Sequence, residues 1–148
     1  MRLVIFAAFV GVAGALTASA LAAGPADQAV QNRQAALKAM GKTFKDIHGL
    51  DPASQRALLV SDAQQLKAEA DKPWAFFGPE TAQATVKTEA LPVIWTDTAG
   101  FHAAQAKLIN AVAALNAAAP NAPPAEIAQQ VADIGAACSA CHRAYRAK

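Results

Sequence analysis

Apolar residues recur along most of this chain at intervals of three, four and seven, the spacing of one face of an α-helix. Between residues 26 and 47 they fall at Val30, Leu37, Met40, Phe44 and Ile47. Pro25 and Asp27 form a helix-start signature ahead of this stripe, and His48-Gly49 a Gly-type stop behind it. Asp51-Pro52 reads as an N-cap and a first-turn proline, which predicts a second helix from Pro52 to about Asp71. Its stripe is Ala57, Leu58, Val60 and Leu66, and Pro73 ends it. A third helix is predicted from Trp95-Thr96-Asp97 to about Ala118, with Phe101, Leu108, Val112 and Leu115 inward. Three prolines between Asn116 and Pro124 make a loop. A fourth helix follows from about Ala125 to Ala147, with Ile127, Val131, Ile134, Cys138, Cys141 and Tyr145 on one side.

Residues 73–92 break the pattern with Pro73, Gly78, Pro79 and Pro92, and crowd Trp74, Phe76 and Phe77 together. This is a long connection of the kind that crosses over a bundle, with room for a short helix around Pro79 to Lys87. No strand pattern competes, and the apolar content is mostly alanine, the best helix former. The predicted fold class is therefore all-α, an antiparallel four-helix bundle of one-domain size.

The first 22 residues are set apart. Arg2 is the only charge before Asp27, Leu3 to Leu16 is an apolar run, and small residues follow from Ala18 to Ala23. That is the layout of a secretory signal peptide over residues 1–22, cut after Ala22 or Ala23, leaving a domain over 23–148. The run is too short and too rich in Ala and Gly for a membrane span. Export implies the periplasm and a chain off the membrane once the signal is removed. Without Arg2 the basic count falls from 13 to 12 against 11 acids, and no basic tract remains, which argues against a nucleic-acid partner.

Cys138-Ser139-Ala140-Cys141-His142 fits C-x-x-C-H, the haem c attachment signature. Positions i, i+3 and i+4 share a helix face. Two thiols placed there reach the two vinyl groups of one haem, and the neighbouring imidazole lies beneath the iron as an axial ligand. A disulfide would close almost no loop, a redox C-x-x-C wants a strand feeding a helix, and zinc wants four ligands. The other histidines, His48 and His102, read as surface residues. The motif predicts one haem c, bound through thioethers to Cys138 and Cys141, with His142 on the iron.

A C-x-x-C-H on the last helix of an exported bundle resembles cytochrome c′, the class II c-type cytochromes. The resemblance spans the mature chain: Arg33-Gln34-Ala35-Ala36-Leu37-Lys38-Ala39-Met40 in the first helix, Pro73 to Pro79 in the crossover, Thr88-Glu89-Ala90-Leu91-Pro92 with Trp95 before the third helix, and Ala137 to Arg146 at the end. It implies that Arg33 and Gln34 lie against the haem edge and propionates. It also implies that Thr88 and Glu89 touch the haem periphery and that Arg146 lies near the proximal imidazole. The sixth iron position falls to the side chain four residues after Arg33, which is Leu37 and cannot ligate iron.

The resemblance thus implies five-coordinate, high-spin iron under a dry apolar face, suited to electron transfer, to binding small diatomic gases such as NO and CO, or to both. Two alternatives stand beside it: a low-spin carrier ligated by Met40, and an NO-scavenging or sensing protein with no carrier role. No distal His-Arg pair is present to polarise a peroxide, so an enzyme is not expected. A homodimer and an unidentified redox partner complete what the resemblance implies.

Overall fold

A computed structural model describes residues 24–148. The predicted signal segment lies outside the described residues. Four α-helices account for most of the chain: α1 Pro25–His48, α2 Arg56–Ala70, α3 Thr98–Ala118 and α4 Pro124–Tyr145. Three single turns of 3-10 helix, Pro73–Phe76, Pro79–Gln83 and Pro92–Trp95, punctuate the crossover between α2 and α3. Each starts on a proline, whose fixed φ suits a first turn and whose missing N–H is not needed there. The single short helix expected around Pro79 to Lys87 is in fact the five-residue turn at Pro79–Gln83.

α1 packs on α2, α2 on α3 and α3 on α4, while the first two crossover turns pack on α1. The α1–α4 side has no comparable run of close backbone approaches. There the helices meet through side chains, with the Phe44 ring lying 3.8 Å from the position a Cβ would take at Gly135. One core runs through all four helices, from Met40 and Ile47 through Leu59, Leu66, Leu108, Val112 and Leu115 to Ile127 and Ile134. A smaller aromatic core of Ile94, Phe101 and Tyr145 joins the crossover to α3 and the end of α4.

The α3 stripe is buried as the sequence predicts. α2 differs in two ways. It starts at Arg56, four residues after Pro52, because Asp51 uses its carboxylate locally, accepting hydrogen bonds from Ala53 N at 3.0 Å and Ser54 Oγ at 2.6 Å. That side-chain turn competes with helix capping. Its buried face is Leu59, Ala63, Leu66 and Ala70, while Leu58 stays 47% exposed and Ala57 is exposed. α1 ends where Gly49 was expected to stop it, but by tightening rather than by a left-handed glycine. Gly49 has φ −87° and its N–H donates to Asp46 O at 3.1 Å.

Candidate functional site

α4 carries Cys138, Cys141 and His142 on consecutive turns, two turns or less from its C-terminus. Cys138 packs against the main core and Cys141 against the aromatic core, so the two thiols straddle the seam between them. Both cysteines are free and half-buried. Burial pushes both thiols up from their ordinary value, so they stay protonated at neutral pH. The adjacent His142 is exposed. Partial burial, then the Arg146 guanidinium, lowers its pKa against a smaller opposing pull from Glu89. The imidazole is thereby kept neutral at neutral pH, the form that ligates a metal. Among the described residues, no three His, Cys, Asp or Glu side chains converge to hold a bare metal ion.

Across the bundle, α1 presents Arg33, Leu37 and Met40. Arg33 is a cation that is 1% exposed. Its Nη1 donates to Thr81 Oγ1 at 3.1 Å and its Nη2 to Thr88 Oγ1 at 2.8 Å, and its guanidinium lies 4.8 Å over the Phe77 ring. No carboxylate pairs with it among the described residues. A buried guanidinium held only by hydroxyls and a ring is costly unless an anion completes its shell. One turn on, Leu37 is half-buried against the same core that Cys138 touches. Met40 is 8% exposed and belongs to that core outright.

The crossover is stapled along α1. Asp27 accepts from Thr85 N at 2.6 Å, Thr85 Oγ1 at 2.7 Å and Val86 N at 3.0 Å. Gln34 Nε2 donates to Lys87 O at 2.9 Å. At its far end the crossover meets the end of α4: Arg146 Nε donates to Glu89 Oε2 at 2.6 Å, Ala147 N to Glu89 O at 2.7 Å and Leu91 N to Tyr145 O at 3.0 Å. Thr88 and Glu89 are neighbours, yet one binds α1 and the other the tail of α4. The crossover thus links the Arg33–Gln34 stretch of α1, through Lys87 and Thr88, to the end of α4 that carries the C-x-x-C-H motif, through Glu89.

Sequence reasoning missed the aromatic wall beside that seam. Trp74 stacks on Phe77 with centroids 6.0 Å apart, Phe77 meets Phe101 at 5.0 Å, and Phe101 meets Tyr145 at 5.2 Å. The crowding of Trp74, Phe76 and Phe77 in sequence signalled part of it, but Phe101 and Tyr145 read only as helix-stripe residues. A cavity of about 420 Å³ lies behind this wall, lined by Trp74, Phe77, Ile94, Trp95, Phe101 and Gln105 among others. It borders neither cysteine nor His142. The thiols and the imidazole, which carry the chemistry, locate the site better than this cavity does.

The donor set fits a haem. Two thiols stand one helical turn apart with an imidazole beside the second, α1 contributes an apolar leucine to the core that Cys138 touches, and the buried Arg33 of α1 has no carboxylate partner among the described residues. Residues 28–146 match the family model described as Cytochrome C′. The chain belongs to the cytochrome c′ family. It is 35% identical over 126 residues to cytochrome c′ of Alcaligenes xylosoxydans, covering 82% of this chain and 95% of the relative. It is 38% identical over 96 residues to that of Rubrivivax gelatinosus, covering 65% of this chain and 69% of the relative.

Solved structures of the family share the fold. The nitric oxide complex of a leucine-to-alanine variant of cytochrome c′ from Alcaligenes xylosoxidans superposes with a TM-score of 0.74 at 32% identity, covering 83% of this chain and 96% of that one. Cytochrome c′ from Rubrivivax gelatinosus superposes at 0.76 with 28% identity, covering 82% and 96%. A carbon monoxide complex of a leucine-to-glycine variant is also among these neighbours. As a cytochrome c′, this chain is a haem c protein with an all-α four-helix bundle fold. No helix among the described residues is long and apolar enough to cross a membrane.

Proposed function

We propose that this cytochrome c′ holds its haem in the α1–α4 seam and uses it to bind small diatomic gases and to pass single electrons. The observation that carries this reading is the placing of Cys138, Cys141 and His142 on one face of α4, with the two thiols against the two cores. With haem bound, Cys138 and Cys141 would each hold it through a thioether, the thiol hydrogen being taken up by the vinyl group that the sulfur joins. His142, held neutral, would supply the ring nitrogen that ligates the iron. The bound group supplies an iron centre that changes between ferric and ferrous states and accepts a diatomic ligand.

The remaining residues shape what that iron meets. Arg33, already committed to two hydroxyls, keeps donors free for a carboxylate, and paired charge-assisted bonds suit a propionate. Gln34, tied to Lys87, and Thr88, tied to Arg33, keep the crossover against that edge. Leu37, half-buried against the same core as Cys138, would present only carbon to the bound group, excluding water and anions and giving no hydrogen bond to a gas. Met40 is engaged in the main core rather than aimed outward, which favours an iron with five ligands. The NO and CO complexes of relatives support gas binding. No distal His-Arg pair stands among the site residues, so a role without enzymatic turnover is proposed. The resemblance supports homodimers, and the leader-like first 22 residues support a periplasmic address.

Gas binding to the reduced protein tests this. Leu37→Ala is expected to raise CO affinity at least several-fold by widening the apolar space above the iron. An unchanged affinity would remove Leu37 from the distal position and the reading with it.

A further inference from the structure

Glu89 and Arg146 make an ion pair that is unusual for its setting. Both side chains are about half exposed, at 58% and 51%. A pair that open contributes little to stability in general, because solvent screens it and both side chains lose freedom. Yet this one is fixed from two directions. Nε and Nη2 of Arg146 both reach Glu89 Oε2, at 2.6 and 2.5 Å. Behind the side chains, Ala90 and Arg146 form an antiparallel bridge. The hydrogen bonds Ala147 N to Glu89 O and Leu91 N to Tyr145 O flank it. The backbone thus sets the two residues opposite each other before the charges meet. Arg146 N also donates to His142 O at 3.2 Å, so the paired arginine is the residue that closes the helical turn begun by His142.

We propose that Glu89 is a positioning residue for the proximal side of the haem: it pins Arg146 beside His142 as a neutral pair, and so sets the charge felt by the iron's imidazole. The inference rests on His142 as the iron ligand. Both charges reach the imidazole, with opposite effect. The Arg146 effect is the larger and Glu89 opposes it, so what the imidazole feels is a property of the pair, not of either residue. Breaking it from the acidic side leaves a cation near the iron, which favours the ferrous state. Breaking it from the basic side leaves an anion, which favours the ferric state. Charges and hydrogen bonds around an axial ligand are an established lever on haem potential.

The test uses the haem-loaded protein and reads the reduction midpoint together with the iron–imidazole stretching band. Glu89→Gln is expected to shift the midpoint upward and Arg146→Gln to shift it downward. The double variant is expected to return close to the wild-type value, although its melting temperature falls with those of the single variants. A merely structural bracket would lower melting temperatures and leave all midpoints alike, which overturns the proposal. Single variants that shift in the same direction overturn it too. Should Glu89→Gln fold poorly, Glu89→Asp keeps the charge at the bracket and is expected to hold the wild-type midpoint; a shift there as large as that of Arg146→Gln overturns the proposal. The wild-type stretching band separates the two levels of inference. Its absence overturns His142 as ligand and the proposal with it, whereas its presence with unmoved midpoints overturns the role of Glu89 alone.

Discussion

Tyr145, near the end of α4, donates its phenolic hydrogen bond to Asp97 Oδ2 at 2.7 Å, and Asp97 is the N-cap of α3, accepting from Gly100 N at 3.1 Å. One carboxylate therefore ties the helix that carries the haem motif to the start of its neighbour. Gly100 makes the approach possible, since a Cβ there would collide with Asp97 and with the Tyr145 hydroxyl. Gly100→Ala is expected to lower the melting temperature despite alanine's better helix propensity. A rise in melting temperature would show that the pair gives way easily.

Acid should loosen the same junction. The Tyr145 hydroxyl, then the Gly100 N–H, hold the Asp97 carboxyl below the usual carboxylate range, and Thr85 with Val86 does the same for Asp27. A carboxyl depressed on folding stabilises the native state fully above its unfolded pKa, and that contribution is lost as pH falls through the folded value. Acid unfolding followed by near-UV circular dichroism should therefore set in below the ordinary carboxylate range. Tyr145→Phe should flatten its pH dependence by restoring Asp97 toward its usual value. An identical acid profile in Tyr145→Phe would contradict the assignment.

Much of this was legible beforehand, for physical reasons that differ from element to element. α3 was legible because Phe101, Leu108, Val112 and Leu115 repeat strictly on one face and Asp97 has an ordinary capping role. The haem motif was legible because its chemistry is local, within five consecutive residues. The start of α2 was not, because Asp51 had two local uses for its carboxylate and the sequence does not rank them. Arg33 was the hardest. By itself it reads as a solvated surface charge, and its partners Thr81 and Thr88 lie 48 and 55 residues further along, so its burial is a tertiary fact.

Arg33 should therefore matter more than a surface arginine. Arg33→Ala removes two hydrogen bonds from a charged donor and the ring contact with Phe77, and is expected to cost about 2 kcal/mol or more. Amide exchange should accelerate over residues 81–88 in particular. A loss within a few tenths of a kcal/mol, the usual size of a surface change, would mean that the crossover is held by Asp27 and Gln34 alone.

The two cysteines make separable predictions. Cys138→Ala and Cys141→Ala should each keep haem on the chain through the remaining thioether, whereas the double variant should lose haem-dependent staining on a denaturing gel. Retention of stain in the double variant would contradict thioether attachment at these positions.

The proposed signal segment is checked by sequencing the N-terminus of protein recovered from the periplasmic fraction. The chain should begin at Ala23 or Gly24. A protein that begins at Met1 or Arg2 would contradict cleavage.

The central claim is an iron held by His142 from one side and faced by the inert Leu37 on the other. The absorption spectrum of the reduced wild-type protein, recorded with and without CO, tests it most directly. The expected result is a high-spin, five-coordinate spectrum that converts on adding CO. A low-spin six-coordinate spectrum indifferent to CO would contradict it, and would move Met40 from the core to the iron.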